Sequence, residues 1–139
     1  MERHISKKRV LLVDDDPEVA KIYRQVLELE GYEVDTARDG IDALQRIHAA
    51  SPDLVVLDIF MPTLDGWEVL KCLKHAPGSP PVVVISAVAD AKAALAEGAA
   101  ASFTKPFPLA EFRKACASLL GDSGSEDGPP ARVMAAKRT

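Results

Sequence analysis

Short apolar runs recur along the chain and alternate with segments in which apolar residues appear at helical spacing. Three runs are continuous and rich in branched residues, namely Val10–Val13, Leu54–Leu57 and Val82–Ile85, while Tyr32–Ala37 and, more weakly, Ser102–Thr104 are mixed segments that are also predicted as strands. Continuous apolar runs of this length are typical of strands that are covered on both faces. The pattern predicts five strands.

Each predicted strand is followed by the signals of a helix. Asp16 and Pro17 suit the N-cap and first turn of the first helix, which Gly31 ends, and Asp39 suits the N-cap of the second. The predicted buried stripes are Val19, Ile22, Tyr23, Val26 and Leu27 in the first helix, Ile41, Leu44 and Ile47 in the second, and Leu109, Phe112, Cys116 and Leu119 in the last. A third helix is predicted over about 67–75 and a short, alanine-rich fourth over 91–97. Because parallel strands need crossover connections, this alternation predicts an α/β fold with a doubly wound, five-stranded parallel sheet.

The composition is that of one globular domain. The chain has 139 residues, of which 47% are hydrophobic and 27% charged, enough to bury a core. Its net charge of −4 argues against a nucleic-acid-binding domain. No apolar run approaches the roughly 20 residues that span a bilayer, and no signal segment is recognised, so we expect a cytoplasmic protein without membrane association. We predict a basic tail at 1–7, a folded domain at 8–120 and a disordered tail or linker at 121–139.

Several residues of types that often carry chemistry are interpreted as structural. Cys72 and Cys116 fall within helical patterns without a metal-ligand partner nearby, so we predict buried or half-buried thiols outside any disulfide. The histidines His4, His48 and His75 are predicted to lie on the surface, and Trp67 to be a packing residue.

Polar side chains follow four of the predicted strands. They are Asp14, Asp15 and Asp16 after the first strand, Asp58 after the third, Ser86 after the fourth and Lys105 after the fifth. In open parallel sheets the functional site lies beyond the carboxyl ends of the strands, so these groups are predicted to meet. Each has an ordinary explanation alone, and helix capping explains Asp16 well. Clustered carboxylates repel one another unless a cation lies among them, so capping explains the set poorly.

The set makes chemical sense as a phosphoryl-transfer site. Carboxylates are the hard oxygen ligands that Mg²⁺ prefers, and Asp14 and Asp15 provide two of them. The Lys105 ammonium and the Ser86 hydroxyl can bind the oxygens of a phosphoryl group. Asp58 is the predicted nucleophile, and it needs no activating base because a carboxylate is ionised at neutral pH.

Four segments together resemble the receiver domain of bacterial two-component response regulators. They are the stretches at 10–17, 57–66, 84–87 and 105–107, which occur in the family's order, and the resemblance covers Lys8 to Leu120. It implies a flavodoxin-like fold that takes a phosphoryl group from a histidine kinase or a histidine phosphotransfer protein. It also implies a signalling module that catalyses only its own phosphorylation and dephosphorylation. We expect a stand-alone receiver without an output domain, which signals through changed partner binding.

The resemblance also implies a role for each site residue. Asp58 corresponds to the phosphoacceptor, Asp15 to the direct Mg²⁺ carboxylate, Asp14 to the acid that holds a metal-bound water, the Phe60 carbonyl to the backbone metal ligand, Ser86 to the switch hydroxyl and Lys105 to the phosphate-pairing lysine. A cis Lys105–Pro106 bond is implied as well.

The sequence departs from the family pattern in three places. Ser102 occupies the position of the aromatic switch, while Phe103 points to the opposite face of its strand and is interpreted as core. The fourth helix is predicted to be short by about one turn. Phe60 and Val88 occupy the two positions that flank the route of the hydrolytic water in the family, and both are apolar here. We therefore predict slow self-dephosphorylation, which the double substitution Phe60→Asn with Val88→Glu should accelerate.

Two other functions are weighed against this one. A haloacid-dehalogenase-type phosphatase also uses a strand-end aspartate with Mg²⁺, but this chain has Phe60 where such enzymes carry a second aspartate, and no inserted cap. A pseudo-receiver that binds a partner without phosphorylation is favoured by Ser102 and the short helix, and disfavoured by the complete acidic set with Lys105.

Overall fold

The computed structural model describes residues 7–59, 66–87 and 91–121. Strands and helices alternate along these residues. In chain order they are β1 (Arg9–Val13), α1 (Pro17–Leu29), β2 (Glu33–Ala37), α2 (Gly40–Ala50), β3 (Leu54–Asp58), α3 (Gly66–Lys74), β4 (Val82–Ser86), α4 (Ala91–Ala96), β5 (Ala101–Thr104) and α5 (Leu109–Leu120). Residues 1–6 of the predicted basic tail, which include His4, and residues 122–139 of the predicted C-terminal tail lie outside the described residues.

The five strands form one parallel sheet in the order β2-β1-β3-β4-β5. Val13 pairs with Leu57, Leu57 with Val84, and Ser86 with Thr104, so the carboxyl ends of the central strands lie along one edge. The prediction of a doubly wound, five-stranded parallel sheet is confirmed. All five residues of β3 and of β4 are buried, as expected for strands with helices on both faces.

Two apolar cores cover the two faces of the sheet. The core on one face joins side chains of α1 and α5, including Tyr23, Leu27, Phe112 and Cys116, and contains Phe103 with no exposed surface. The prediction that Phe103 is a core residue is confirmed. The core on the other face joins side chains of α2, α3 and α4, with half-buried Trp67 packed against it.

The predicted helix caps are present. The Asp16 carboxylate accepts a hydrogen bond from the Glu18 N–H at 3.0 Å, and the Asp39 carboxylate accepts one from the Asp42 N–H at 2.8 Å. Each such cap stabilises its helix by about 1 kcal/mol. Gly31 follows α1 with φ of +96°, a conformation that favours glycine and ends the helix where the sequence predicts.

Three residues that we predicted in buried helix stripes are exposed instead. The exposed fractions are 55% for Ile22, 49% for Ile41 and 41% for Leu109. Neighbouring helix positions project about 100° apart, so Ile22 points away from the sheet while Tyr23 points toward it. In α2 the small residues Gly40 and Ala43 occupy the buried positions, which leaves Ile41 at the flank. Leu109 is the first residue of α5, where the helix extends past the core.

The prediction that the Cys72 thiol is buried or half-buried is wrong. This residue is exposed, because the buried side of α3 is formed by Val69, Leu70 and Leu73, and Cys72 projects away from that line. Cys116 is buried as predicted, and its burial raises the pKa of the thiol to about 12. Both cysteines are free.

The fourth helix is short, as predicted. It has six residues, and Ala94 is its buried contact with the core. None of the helices within 7–59, 66–87 and 91–121 combines the length and apolar character needed to cross a membrane.

Candidate functional site

Three aspartates meet at the carboxyl edge of the sheet. Carboxylate oxygens of Asp14, Asp15 and Asp58 all lie within 4.8 Å of one another. Asp14 and Asp58 are buried, with 4% and 8% of their surface exposed, whereas Asp15 is exposed. The structure therefore brings together three carboxylates that the sequence places at the ends of two different strands.

The backbone explains why these aspartates converge. The Asp14 N–H donates to the Ala37 carbonyl at 3.1 Å, which extends the pairing of β1 and β2 by one residue beyond the strand. Asp58 is the last residue of β3 and pairs with Ile85 of β4. Since β1 and β3 are adjacent, Asp14 and Asp58 leave neighbouring strands at almost the same level.

The carboxyl group of Asp14 is buried and has a raised pKa. The pKa of Asp14 is raised to about 6, mainly by burial and also by the charges of Asp58 and Asp15, while the hydrogen bond from the Asp16 N–H and the Lys105 charge oppose the rise. One oxygen accepts that hydrogen bond at 2.9 Å. The other, Oδ2, is buried and has no hydrogen-bond partner among the described residues. A buried acceptor without a partner is costly, and a cation bound among these oxygens would supply one.

The donor set fits a small divalent cation. Three carboxylates within reach of one point are hard oxygen ligands, and two of them lie on rigid strand ends. A cation would also offset the mutual repulsion that contributes to the raised pKa of Asp14. The predicted backbone ligand, the Phe60 carbonyl, lies outside the described residues.

Lys105 provides the positive charge of the site. Its Nζ lies 3.7 Å from Asp58 Oδ2, and this ion pair is largely shielded from solvent, with side-chain exposures of 28% and 11%. The Lys105 N–H donates to the Ser86 carbonyl at 2.8 Å, which fixes the residue after β5 against the end of β4. The Lys105–Pro106 peptide is cis, as the resemblance implies.

Ser86 completes the strand-end groups that the sequence predicts. It is the last residue of β4, is 4% exposed, and lies one position beyond Ile85, the residue that pairs with Asp58. Its side chain is thus on the strand next to Asp58. Val88 lies outside the described residues, so the prediction about water access at Phe60 and Val88 stays a prediction.

The backbone at the start of α3 lies very close to the end of β3, next to Asp58. A Cβ atom on Gly66 would lie 2.5 Å from the Ile59 Cα and 2.8 Å from the Asp58 carbonyl oxygen. The Gly66 N–H also donates to the Ile59 carbonyl at 2.8 Å. The start of α3 can therefore pack against the end of β3 only because residue 66 has no side chain.

A cleft of about 290 Å³ borders the acidic cluster. Asp14 and Asp15 form one side of it, and the exposed cations Lys21, Arg24 and Arg38 form part of its rim. These cations lower the electrostatic cost of bringing an anionic group to a site that holds three carboxylates.

Sequence reasoning missed the relation of Tyr23 to this site. We interpreted Tyr23 only as a member of the buried stripe of α1. Burial raises its pKa to about 12, and the charges of Asp14 and Asp58 contribute to the rise, so its hydroxyl lies within their electrostatic field. An informative signal was present in the sequence, namely a polar-tipped aromatic residue on the buried side of the helix that directly follows the acidic run.

Comparison with known proteins agrees with this geometry. The family model described as "Response regulator receiver domain" matches residues 10–117. The chain is 40% identical over 129 residues to the response regulator MprA of Mycobacterium sp. strain KMS, covering 91% of this chain and 56% of MprA. It is 42% identical over 128 residues to the transcriptional regulatory protein PrrA of Mycobacterium leprae, covering 90% and 55%. The chain thus spans about half the length of these curated relatives.

A solved structure gives the same fold. The receiver domain of the Francisella response regulator 1452 superposes with a TM-score of 0.79 at 31% sequence identity, over 83% of this chain and 98% of that one.

Proposed function

The chain belongs to the response regulator receiver domain family, and on that premise we propose that Asp58 accepts a phosphoryl group from a histidine kinase or a histidine phosphotransfer protein. Receiver domains are modules of two-component phosphorelay signal transduction, with a histidine kinase as partner. The observation that carries the proposal is the position of Asp58, whose carboxylate lies within 4.8 Å of those of Asp14 and Asp15 and 3.7 Å from Lys105 Nζ.

We propose Mg²⁺ as the cofactor. Receiver domains generally bind Mg²⁺ in an acidic pocket, and here Asp15 and Asp58 would hold the ion directly, Asp14 through a bound water, and the Phe60 carbonyl as a backbone ligand. Asp14 Oδ2, which has no hydrogen-bond partner among the described residues, and the raised pKa of that carboxyl support this assignment. When bound, the ion neutralises the charge on the phosphoryl oxygens during transfer.

The transfer step uses the described side chains in complementary roles. An oxygen of the Asp58 carboxylate attacks phosphorus, an O–P bond forms, and the P–N bond to the donor imidazole breaks with its electron pair leaving on nitrogen. The Lys105 ammonium and the Ser86 hydroxyl bind oxygens of the transferred group. The product is an aspartyl phosphate, so the chain catalyses its own modification and, by hydrolysis, its reversal.

We propose that residues 8–120 form this receiver and that it signals by changed partner binding. The family match over 10–117 and the elements from Arg9 to Leu120 support these bounds. PrrA is described as a transcriptional regulatory protein, and this chain covers 55% of it, so the receiver has regulators of gene expression among its relatives. Binding experiments with the phosphorylated and the unphosphorylated protein would identify the partner that recognises the phosphorylated form.

The proposal is tested by incubating the protein with acetyl phosphate and Mg²⁺ and measuring its intact mass. We expect an acid-labile gain of one phosphoryl group, lost in Asp58→Asn and in the presence of excess chelator. Asp16→Asn is the matched control: it removes a neighbouring charge, and asparagine caps a helix as well as aspartate does. A protein that gains no phosphoryl group from acetyl phosphate or from a histidine kinase is a pseudo-receiver, a function that Ser102 favours.

A further inference from the structure

Four aromatic rings pack together on the α1–α5 face of the sheet, directly behind the site. Tyr23 of α1 stacks on Phe107 with ring centroids 6.0 Å apart and an interplanar angle of 12°. Phe103 of β5 lies 5.1 Å from Phe107, and Phe112 of α5 lies 5.5 Å from Tyr23 and 5.8 Å from Phe107. Phe107 is therefore in contact with a ring from each neighbouring element.

This cluster is connected to the site at both of its ends. Phe107 is two residues after Lys105, whose Nζ lies 3.7 Å from Asp58 Oδ2. Tyr23 lies within the field of Asp14 and Asp58, whose charges help to raise its pKa to about 12. The chain segment from Lys105 to Phe107 therefore joins the Asp58 ion pair to the stacked rings.

The opposite face offers no comparable aromatic group at β5. Ser102 is buried there with 2% of its surface exposed, and its short side chain has no ring to rotate. Phe103, the next residue, projects to the α1–α5 face because successive strand residues alternate. The aromatic residues next to Lys105 are thus concentrated on the face that carries α1 and α5.

We propose that the Tyr23–Phe107 stack transmits the chemical state of Asp58 to the α1–α5 face, in place of an aromatic switch at residue 102. This inference rests on the proposed function, because it requires phosphorylation of Asp58. When Lys105 turns from the carboxylate to the phosphoryl oxygens, its backbone and the nearby Phe107 ring shift together. Close-packed rings do not deform continuously, so Tyr23 and Phe112 move to a second arrangement.

The outer surface of this face has a contact that can report the movement. Arg113 of α5 pairs with Glu30 at the end of α1, with 3.5 Å between Nη1 and Oε2. Exposed Ile22 and Leu109 lie on the same two helices. A shift of α1 relative to α5 changes both the ion pair and the spacing of these apolar side chains.

Fluorine NMR of the full chain carrying 3-fluorotyrosine tests the inference. The chain has two tyrosines, so two signals arise, one from Tyr23 and one from Tyr32. Tyr32 belongs to the same core but precedes β2, which is separated from β3 by β1, and it serves as an internal comparison. On treatment with acetyl phosphate and Mg²⁺ we expect the phosphoryl mass gain and a displacement of the Tyr23 signal that exceeds any change of the Tyr32 signal.

Variants separate transmission through the stack from a direct effect of charge on Tyr23. Phe107→Met and Phe107→Leu remove the ring, and both are measured so that the conclusion uses the variant that remains folded. We expect either one to gain the phosphoryl group but lose most of the Tyr23 displacement. Leu119→Ala is the matched control: Leu119 packs against the same core about two helical turns after Phe112, so the variant removes apolar volume but no ring and should keep the displacement.

The outcomes distinguish the two proposals. A phosphorylated protein whose Tyr23 signal does not move, or moves equally in the Phe107 variants, contradicts transmission through the stack and leaves the function of Asp58 intact. A protein that gains no phosphoryl mass contradicts the proposed function, and the inference falls with it.

Discussion

Lys105 Nζ and Asp58 Oδ2 lie 3.7 Å apart, an ion pair that joins the loop after β5 to the end of β3. These residues are 47 positions apart in the chain, and the parallel sheet brings them together through β4. The pair contains both the group proposed to receive phosphate and the cation proposed to bind it. A loose phosphoryl transition state places most of its charge on the transferred oxygens, so this cation matters most during transfer.

Replacing Lys105 with methionine should slow phosphorylation of Asp58 by about 100-fold, the usual effect of removing one preorganised donor to a developing charge. The rate is followed by intact mass with acetyl phosphate and saturating Mg²⁺. Lys74→Met is the control, because Lys74 also pairs with a carboxylate, Glu97 at 3.8 Å, but does so away from the site. Equal rates for the two variants would contradict the role assigned to Lys105.

Asp14 should make stability depend on pH in the absence of metal. Its pKa is raised in the folded protein from 3.8 to about 6. The folded state therefore binds the proton more tightly, so this contribution to stability is full below pH 3.8 and is lost as the pH rises through about 6. The loss amounts to about 3 kcal/mol.

The measurement is urea unfolding with chelator present, from pH 4 to 7. Asp14→Asn should lack the decline seen in the parent protein and be the more stable of the two at pH 7. Parallel pH profiles for the two proteins would show that Asp14 has an ordinary pKa.

Mg²⁺ should stabilise the protein through Asp15. A ligand that binds only the folded state adds about 2.7 kcal/mol to the unfolding free energy at a concentration 100 times its dissociation constant. We expect Mg²⁺ to raise the unfolding midpoint, and Asp15→Asn to abolish most of this increase. Asp16→Asn should retain it, since that residue caps α1 and is not assigned to the ion. Loss of the increase in both variants would indicate a general effect of charge.

Gly66→Ala should destabilise the fold and disturb the site together. The new Cβ would lie 2.5 Å from the Ile59 Cα, so α3 must move away from the end of β3, with an expected cost of about 1–3 kcal/mol. Because Asp58 precedes Ile59, the phosphorylation rate should fall as well. Gly78→Ala is the comparison: that residue has φ of +73° and no atom near the added Cβ, so it reports backbone strain alone. Wild-type phosphorylation in a folded Gly66→Ala protein would refute this positioning role.

The fold was largely predictable because three of its strands contain continuous apolar runs and α1 and α2 begin at recognisable caps. β3 and β4 are buried along their whole length, and every residue before the terminal Asp58 and Ser86 is apolar, which gives a clear strand signal. Asp16 and Asp39 cap their helices as predicted. The convergence of Asp14, Asp15 and Asp58 followed from one physical rule, that parallel strands end at the same edge.

Side-chain exposure on the helices was less predictable. Ile22 and Cys72 each sit beside a buried residue, and a rotation of one helical position decides which neighbour is covered. Periodicity identifies the buried side of a helix but not the width of the surface it covers. The position of Tyr23 near the site also depends on how α1 packs on the sheet, which involves contacts with Phe107 and Phe112 from distant parts of the chain.

The most direct test of the account is to identify the modified residue. Borohydride reduces an aspartyl phosphate to homoserine, so protein treated with acetyl phosphate and Mg²⁺ can be reduced, digested and mapped by peptide mass spectrometry. We predict homoserine at position 58, with aspartate unchanged at positions 14, 15 and 16. Homoserine at any other position, or a phosphoryl mass gain that leaves Asp58 unreduced, would contradict the central claim.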